Sequence, residues 1–548
     1  MYSEHHYTRS PFVAGATFLF IVIIAEFIAI MLLNNGHFVY TLDDPYIHLA
    51  LAENIRNLHY GVNPNEFSAP SSSILWPFII APFSSLEYFP LLVNVVSAIL
   101  TLFIFRQILN VAININDKGV KTILVSTMLI LLALGTNIIG LAFTGMEHSL
   151  QQLAVVAIAW GLIVEAENNK VEPWLLVAIV AAPLIRYENL AISLAALTYL
   201  SAQKYYIKSI LASLLLALFM GGFSIFLTLS GLELLPTSVL AKSFVAASSG
   251  SVSSIMKGMR ASLENPKGML LCVGLSGHLG YLCFARQNKK KRQLAAVTIF
   301  AIALHLVAGQ YGWHNRYEIY IWSFLLLMSV YLASGKITNL LAGNKSRTGL
   351  AKFIVVPVIF TLLTCFSYIE GLISLPIASN NIYEQQFQMR RFAVDYYKKP
   401  VAVNDLGYVS YKNNNYVLDL YGLASLEALN YRKTRQDFEW MNNLANEKKV
   451  GLAMVYDNWF KVPGNWIKVG ELHLGKERIT PSRNKVAFYA LGNDAYEEIV
   501  LELNDFLPTL PEDVKFIFQP KNGTNKAPSP QLPTGNNRSS RIADTRAG

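Results

Sequence analysis

Apolar runs of about 18 residues or more recur through the first two thirds of the chain, and that is the length an α-helix needs to cross a bilayer. Eleven spans are expected, at 11–33, 88–108, 121–142, 149–165, 172–185, 188–202, 206–229, 268–285, 293–309, 318–334 and 351–373. Of the 548 residues, 53% are hydrophobic and only 15% charged, as suits a chain immersed in lipid. The expected fold class is a polytopic α-helical membrane protein. The first run, 11–33, is too long for the core of a cleavable leader and lacks a small-residue cleavage site, so it reads as a retained span. Segment 72–84 is short, contains Pro77 and Pro82 and begins Ser-Ser-Ser. It reads as an amphipathic or re-entrant helix, not a span.

Basic residues fall in alternate gaps between the runs. Arg106, Lys118 and Lys121 follow the second, Lys204 and Lys208 the sixth, the stretch 286–292 (RQNKKKR) the eighth, and Lys336, Lys345 and Arg347 the tenth. Basic loops stay cytoplasmic, which places the N-terminus inside and the last third of the chain outside the cytoplasmic membrane. The net charge of +9 is therefore loop charge, not a basic face on a soluble domain, and nucleic acid is set aside as a partner. Cys272, Cys283 and Cys365 lie inside apolar runs and offer neither a disulfide framework nor metal-ligand spacing.

The same parity gathers polar groups on the outer face: Asp43-Asp44, Glu147-His148, Arg186 and Glu188, Lys242, and the run from Trp313 to Tyr317 that holds His314 and Arg316. The fifth and sixth runs are short, so the Arg186/Glu188 tip is expected below the membrane surface. There an Arg and a Glu either pair with each other or bind a charged ligand. Residues 1–375 thus form a transmembrane domain with 34–87 as its first outer loop. From 376 to 518 a soluble, extracytoplasmic α/β domain is expected, with strands at 400–403, 417–420, 451–455 and 486–491 and a helix at 496–506. The Pro/Asn/Ser-rich stretch 519–548 reads as a disordered tail.

Several fragments share an order with a known family. TLDDPYIHLALAENI followed by NPNEFSAPSSSILWP, then TGMEHSL, RYENL, PTSVLAKSF, HNRYEIYIW and AVNDLGYVSYKNNNYVLDLYGLAS resemble successive motifs of GT-C membrane glycosyltransferases, nearest the terminal arabinofuranosyltransferase (AftB-like) group. The resemblance covers about residues 15–430, and departs from the family at Pro45, Ala69-Pro70 and Asn189. It implies an enzyme that moves a sugar, arabinofuranose or another pentose, from a polyprenyl-phosphate donor to an extracytoplasmic glycan or protein acceptor, a pilin among them. No cofactor is implied. Some GT-C enzymes use a divalent metal, but no convincing ligand spacing accompanies His48 or His59 here.

For such a transfer a carboxylate accepts the proton of the acceptor hydroxyl while positive groups receive the departing phosphate. Asp44 is the expected general base, with Asp43 orienting the loop. Arg186, Lys242, Arg316 and His314 are the expected phosphate-binding set, and Glu147, Glu188, Tyr46, Asn63, Asp405 and Tyr408 the sugar, acceptor or supporting set. Plainer roles stand beside these. Asp43 is placed to cap a helix starting near Pro45, Glu147 to start another, Arg186 and Glu188 to form a structural pair, and Asp405 and Asp419 to stabilise turns. A transporter or flippase of lipid-linked sugars is the alternative function. Transporters tend to carry internal repeats and midplane sites, whereas here no repeat is visible and the polar residues gather at one face.

Overall fold

The computed structural model describes residues 4–242, 252–285, 288–312, 314–337, 365–434 and 437–520. Within them, seven helices are long and apolar enough to cross a membrane: α1 (Glu4–Leu33), Phe89–Ala112, Lys118–Gly135, His148–Asn168, Tyr206–Leu229, Pro266–Phe284 and Lys289–Ala308. A helix satisfies its backbone groups internally, which is why apolar sequence of this length adopts it in a medium without water. Two further apolar helices, Pro173–Ile185 and Ile319–Leu332, are shorter. At 13 and 14 residues they rise about 20 Å, less than the ~30 Å of hydrocarbon. The protein is a polytopic α-helical membrane protein with a C-terminal mixed-sheet domain.

The expected span at 121–142 is cut short. Its helix ends at Gly135, Asn137 takes a left-handed φ of 50°, and a separate helix runs Ile138–Phe143. The carbonyls freed by this break find partners: Trp322 Nε1 donates to Gly135 O and Gln152 Nε2 to Thr136 O. Segment 72–84 forms a five-residue helix, Trp76–Ile80, and a 3-10 turn, Ala81–Phe83, far too short to span. The expected span at 351–373 falls mainly outside the described residues, which resume before the helix Phe366–Ile373. The expected tail lies outside them beyond 520.

Between α1 and the next span, α2 (Asp44–Arg56) is buried from Pro45 to Ala52. Tyr46 and Leu49 join the core of the membrane helices, whereas Ile47 and Ala50 join the core of the C-terminal domain. Each pair is spaced i, i+3, so a single helix presents one stripe to each core.

The C-terminal domain begins on the helix Leu375–Ile382, which continues through wider turns to Tyr397 and stops at Lys398 in a left-handed conformation. Six strands follow: β1 (Val401–Val403), β2 (Val417–Asp419), β3 (Leu452–Val455), β4 (Ile467–His473), β5 (Lys485–Ala490) and β6 (Lys515–Phe518), in the order β2-β1-β3-β5-β4-β6. β1 is parallel to β2 and β3, and the remaining pairings are antiparallel. Alternate residues serve opposite faces. Val401 and Val403 pack with Phe392, Leu503 and Phe506, while Ala402 packs with Trp440 and Leu444. Helices therefore cover both faces of the sheet.

Connectivity predicts that cysteines placed at Leu58, 97% exposed, and at the exposed Lys118 react from opposite sides of the membrane. Labelling of Leu58→Cys and Lys118→Cys with a membrane-impermeant maleimide, in intact and then permeabilised cells, checks this. Reaction of both from the same side would break the span count.

Candidate active site

Residues 37–43 leave α1 and are fixed before α2 begins: Tyr40 N donates to Tyr46 Oη at 3.1 Å and Thr41 N to Phe143 O at 3.2 Å. Asp43 occupies the position before α2, but its side chain makes no capping bond to that helix. Its carboxylate instead reaches the C-terminal domain, where Oδ2 accepts from Gly407 N at 2.7 Å and Oδ1 from Tyr408 N at 2.8 Å. The cap expected of Asp43 is thus made to a helix 364 residues further along. Fit requires glycine there: a Cβ on Gly407 would lie 2.0 Å from Asp43 O.

Asp44, one residue on, turns elsewhere. Its Oδ2 accepts from Arg316 Nη2 at 2.5 Å, with the Asp44 side chain 23% exposed and that of Arg316 1%. Arg316 lies 5.1 Å from the centre of the Tyr317 ring, and Arg186 lies 5.8 Å from the same ring. Arg186 grips Glu188 with Nε at 3.1 Å and Nη2 at 2.6 Å, and reaches Glu147 with Nη1 at 2.6 Å and Ser72 at 3.2 Å. His48 Nε2 stands 3.7 Å from the second Glu147 oxygen. Asp44, Arg316, Arg186, Glu147 and Glu188, dispersed over 273 positions of sequence (44 to 316, inclusive), form one chain of contacts.

A cavity of about 710 Å³ adjoins this chain. Asp43, Asp44 and Asp405 line it, with His314, Tyr311 and Tyr317. It sits at the carboxyl ends of the parallel strands. Asp405 follows β1 and Tyr456 follows β3, and Asp405 accepts from Tyr456 Oη at 2.5 Å, Gln386 Nε2 at 2.8 Å and Asn404 Nδ2 at 3.0 Å. The chain leaves β1 for β2 on one side and returns to β3 on the other, so this crevice is the switch point of the sheet, where ligands of such sheets bind.

Burial pushes the Asp43 carboxyl well above the ordinary carboxylate range, and the nearby Asp405 charge adds to it, against the two amides that pull it down. Burial likewise raises Asp405, opposed by its Tyr456, Gln386 and Asn404 donors. Two acids this close do not both ionise freely. His314, held at a left-handed φ of 60°, is lowered to about 4 by burial and then by the Arg316 charge.

The remaining expected residues have plain positions. Tyr46 stacks on Tyr408 at 3.6 Å, and Tyr408 Oη donates to Glu87 at 2.5 Å. Both rings are buried in the core of the membrane helices and not in the cavity wall. Asn63 clamps β2, donating to Val417 O and accepting from Val417 N. Asp419 accepts from the amides of Tyr421, Gly422 and Ala424, as a turn residue does. Lys242 ends the helix Thr237–Lys242, but its side chain lies outside the described residues. Arg186 takes the structural-pair alternative with Glu188, and Arg316 is paired to Asp44. Both are buried behind the cavity wall and committed to carboxylates, because an unpaired guanidinium at that depth would be costly. The cavity-lining arginines are Arg478 and Arg483. Sequence reasoning passed over them because their turn between β4 and β5 nears the acids only once the domain has docked. Among the described residues no group of three or more His, Cys, Asp or Glu is placed to hold a metal ion.

Residues 380–489 match the family described as a domain of unknown function (DUF8728). No curated protein matches the chain. Among solved structures, the Archaeoglobus fulgidus oligosaccharyltransferase in complex with Zn and sulfate is 10% identical, with 90% of this chain and 74% of that one covered and a TM-score of 0.42. Its apo form gives 11%, 88%, 77% and 0.40. The archaeal oligosaccharyltransferase AglB from the same organism, in complex with an inhibitory peptide and a dolichol-phosphate, gives 10%, 88%, 77% and 0.37. Likenesses at this level assign no activity to the chain.

Gly407→Ala is expected to separate Asp43 from its two amides and to lower stability by about 1–3 kcal/mol, read as a fall in melting temperature with faster proteolysis of the C-terminal domain. His314, neutral above its lowered pKa, gains charge only as the pH falls through about 4. His314→Gln is therefore expected to leave the shape of any pH–activity profile above pH ~5 unchanged, which a rate–pH series would check.

Proposed function

We propose that this chain is an integral membrane glycosyltransferase. It moves a sugar, arabinofuranose or another pentose, from a polyprenyl-phosphate donor to a glycan or protein acceptor outside the cytoplasmic membrane, with inversion at the anomeric carbon. The observation that carries the reading is the divergence of Asp43 and Asp44. Both line a cavity of about 710 Å³, but the Asp43 carboxylate is spent on joining the loop to the domain, while that of Asp44 has one oxygen fixed by Arg316. Sequence resemblance supplies the reaction class.

In this reading the acceptor hydroxyl enters the cavity and donates its proton to the second oxygen of Asp44. The acceptor oxygen forms a bond to the anomeric carbon as the bond from that carbon to the phosphate oxygen breaks. The bonding electrons leave with the polyprenyl phosphate. Arg316 aims the carboxylate, and Tyr317, whose ring both guanidinium groups approach, stands between Arg316 and the Arg186, Glu147 and Glu188 cluster. Asp43 acts as a positioning residue through Gly407 and Tyr408.

Removing a general base costs roughly 10²–10⁴-fold in turnover. Asp44→Asn is expected to lose about that much in kcat, with little change in donor binding, in a transfer assay on the purified protein with a radiolabelled polyprenyl-phospho-sugar. Asp43→Asn is expected to lower the melting temperature as well as the rate. Undiminished turnover by Asp44→Asn would dismiss the mechanism.

A further inference from the structure

Two cations in the cavity have no part in the acid–base scheme. Arg478 and Arg483 sit on the turn between β4 and β5 and line the cavity together with Asp43, Asp44 and Asp405. Their turn is tied to the chain that enters the domain. Asn381 accepts from Ile479 N at 2.7 Å and Thr480 N at 3.2 Å and donates to Glu477 O at 3.0 Å. Gln385 donates to Arg483 O at 3.1 Å, and Glu384 accepts from Gly475 N at 2.8 Å. Five bonds from residues 381–385 thus fix where the two side chains begin.

The guanidinium groups themselves are lightly engaged. Arg478 Nη1 donates to Pro481 O at 3.1 Å and Ser482 O at 3.4 Å, and Arg483 Nη1 to Ser482 O at 2.9 Å. Neither takes part in an ion pair among the described residues, although three carboxylates line the same cavity. Arg186 is the reverse case, buried and bound to Glu147 and Glu188, and Arg316 is buried and tied to Asp44. An arginine kept off neighbouring acids retains its forked donors for a planar or tetrahedral anion. The acids of the wall favour such an anion only where these two cations compensate for them.

We propose that Arg478 and Arg483 form the site for the phosphate of the lipid donor, a role that rests on the glycosyl-transfer reading. The donor phosphate is a diester with one negative charge. When its bond to the anomeric carbon breaks, the electron pair stays on the phosphate oxygen and the product is a monoester bearing up to two. The arginines therefore hold the departing group more tightly than the bound donor, and this difference is what accelerates departure. The base comes from the loop after α1 and the phosphate site from the C-terminal domain, so the cavity is complete only with the domain docked.

Trp459 also lines the cavity, and its fluorescence gives a readout on the full-length protein in lipid nanodiscs. The probes are undecaprenyl phosphate, undecaprenol and inorganic phosphate. The double variant Arg478→Gln/Arg483→Gln is expected to bind undecaprenyl phosphate about tenfold more weakly or worse, with undecaprenol binding unchanged. Arg478→Lys/Arg483→Lys is expected to fall between it and wild type, and Asp44→Asn to bind at least as tightly as wild type while failing to transfer. If the glutamine pair lowers the melting temperature, the lysine pair decides alone. Unchanged affinity of both double variants for undecaprenyl phosphate overturns the proposal, and so does inorganic phosphate binding to wild type as tightly as the lipid. Arginine-dependent lipid-phosphate binding by a wild type that transfers no sugar would sink the glycosyltransferase reading and leave the phosphate site standing.

Discussion

The carboxylate of Asp43, closed on the amides of Gly407 and Tyr408, is the contact on which the site depends. It joins the segment leaving the first span to a helix turn of the C-terminal domain, and so sets the distance between acids at opposite ends of the sequence. A hydrogen bond to a charged group contributes about 1.5–3 kcal/mol, and burying the carboxyl offsets much of that. Cohesion must therefore come chiefly from α2, whose Tyr46 and Leu49 stripe and Ile47 and Ala50 stripe enter different cores. The apolar faces hold the two parts together, and Asp43 fixes their register. The glycine at 407 is a consequence, since backbone meets backbone there with no room for a Cβ.

Register matters because the charges behind the cavity are closely balanced. Two guanidinium groups, Arg186 and Arg316, face three carboxylates, Asp44, Glu147 and Glu188. Such a cluster carries no surplus of positive charge, and its geometry is stiff. In a buried network the loss of one partner strands another, at a cost of about 3–5 kcal/mol. Its contribution is orientation. Tyr317, within reach of both guanidinium groups, carries that stiffness to the cavity surface, which it lines.

Much of the fold was legible because lipid imposes a length and a composition on every crossing. Phe89–Ala112 and Tyr206–Leu229 could be read from apolar runs alone. The break at Asn137 could not, since it depends on Trp322 and Gln152 arriving from other helices to satisfy the freed carbonyls. In the C-terminal domain β1, β2, β3 and β5 are short buried strands that read as apolar runs. β4 alternates with charged residues and shifts register between Lys468 and Gly470, and β6 is four residues at an edge, so neither stood out. The acids of the site were visible as unusual charges beside membrane spans. The opposite assignment of Asp43 and Asp44 was visible only as a difference in direction. The Arg186–Glu188 pair was legible as one of two alternatives, whereas the pairing of Arg316 with Asp44 was not, because sequence shows a cation but not which carboxylate it meets.

On the proposed reading, the division between the two layers of the molecule has a chemical reason. A group that accepts a proton must be held at a fixed angle, and membrane helices gripping a buried arginine supply that rigidity for Asp44. A group that receives a phosphate must meet a charge that grows during the reaction, and a buried guanidinium such as that of Arg186, whose donors are already taken by Glu147 and Glu188, cannot respond to it. Arginines on a turn at the cavity can, since their donors remain available and water still reaches them. Placing both functions on the membrane helices would put free cations beside carboxylates at low dielectric, where they would collapse into pairs. A separate domain that brings its own arginines to the acids, with the angle of approach set by Asp43, avoids that collapse.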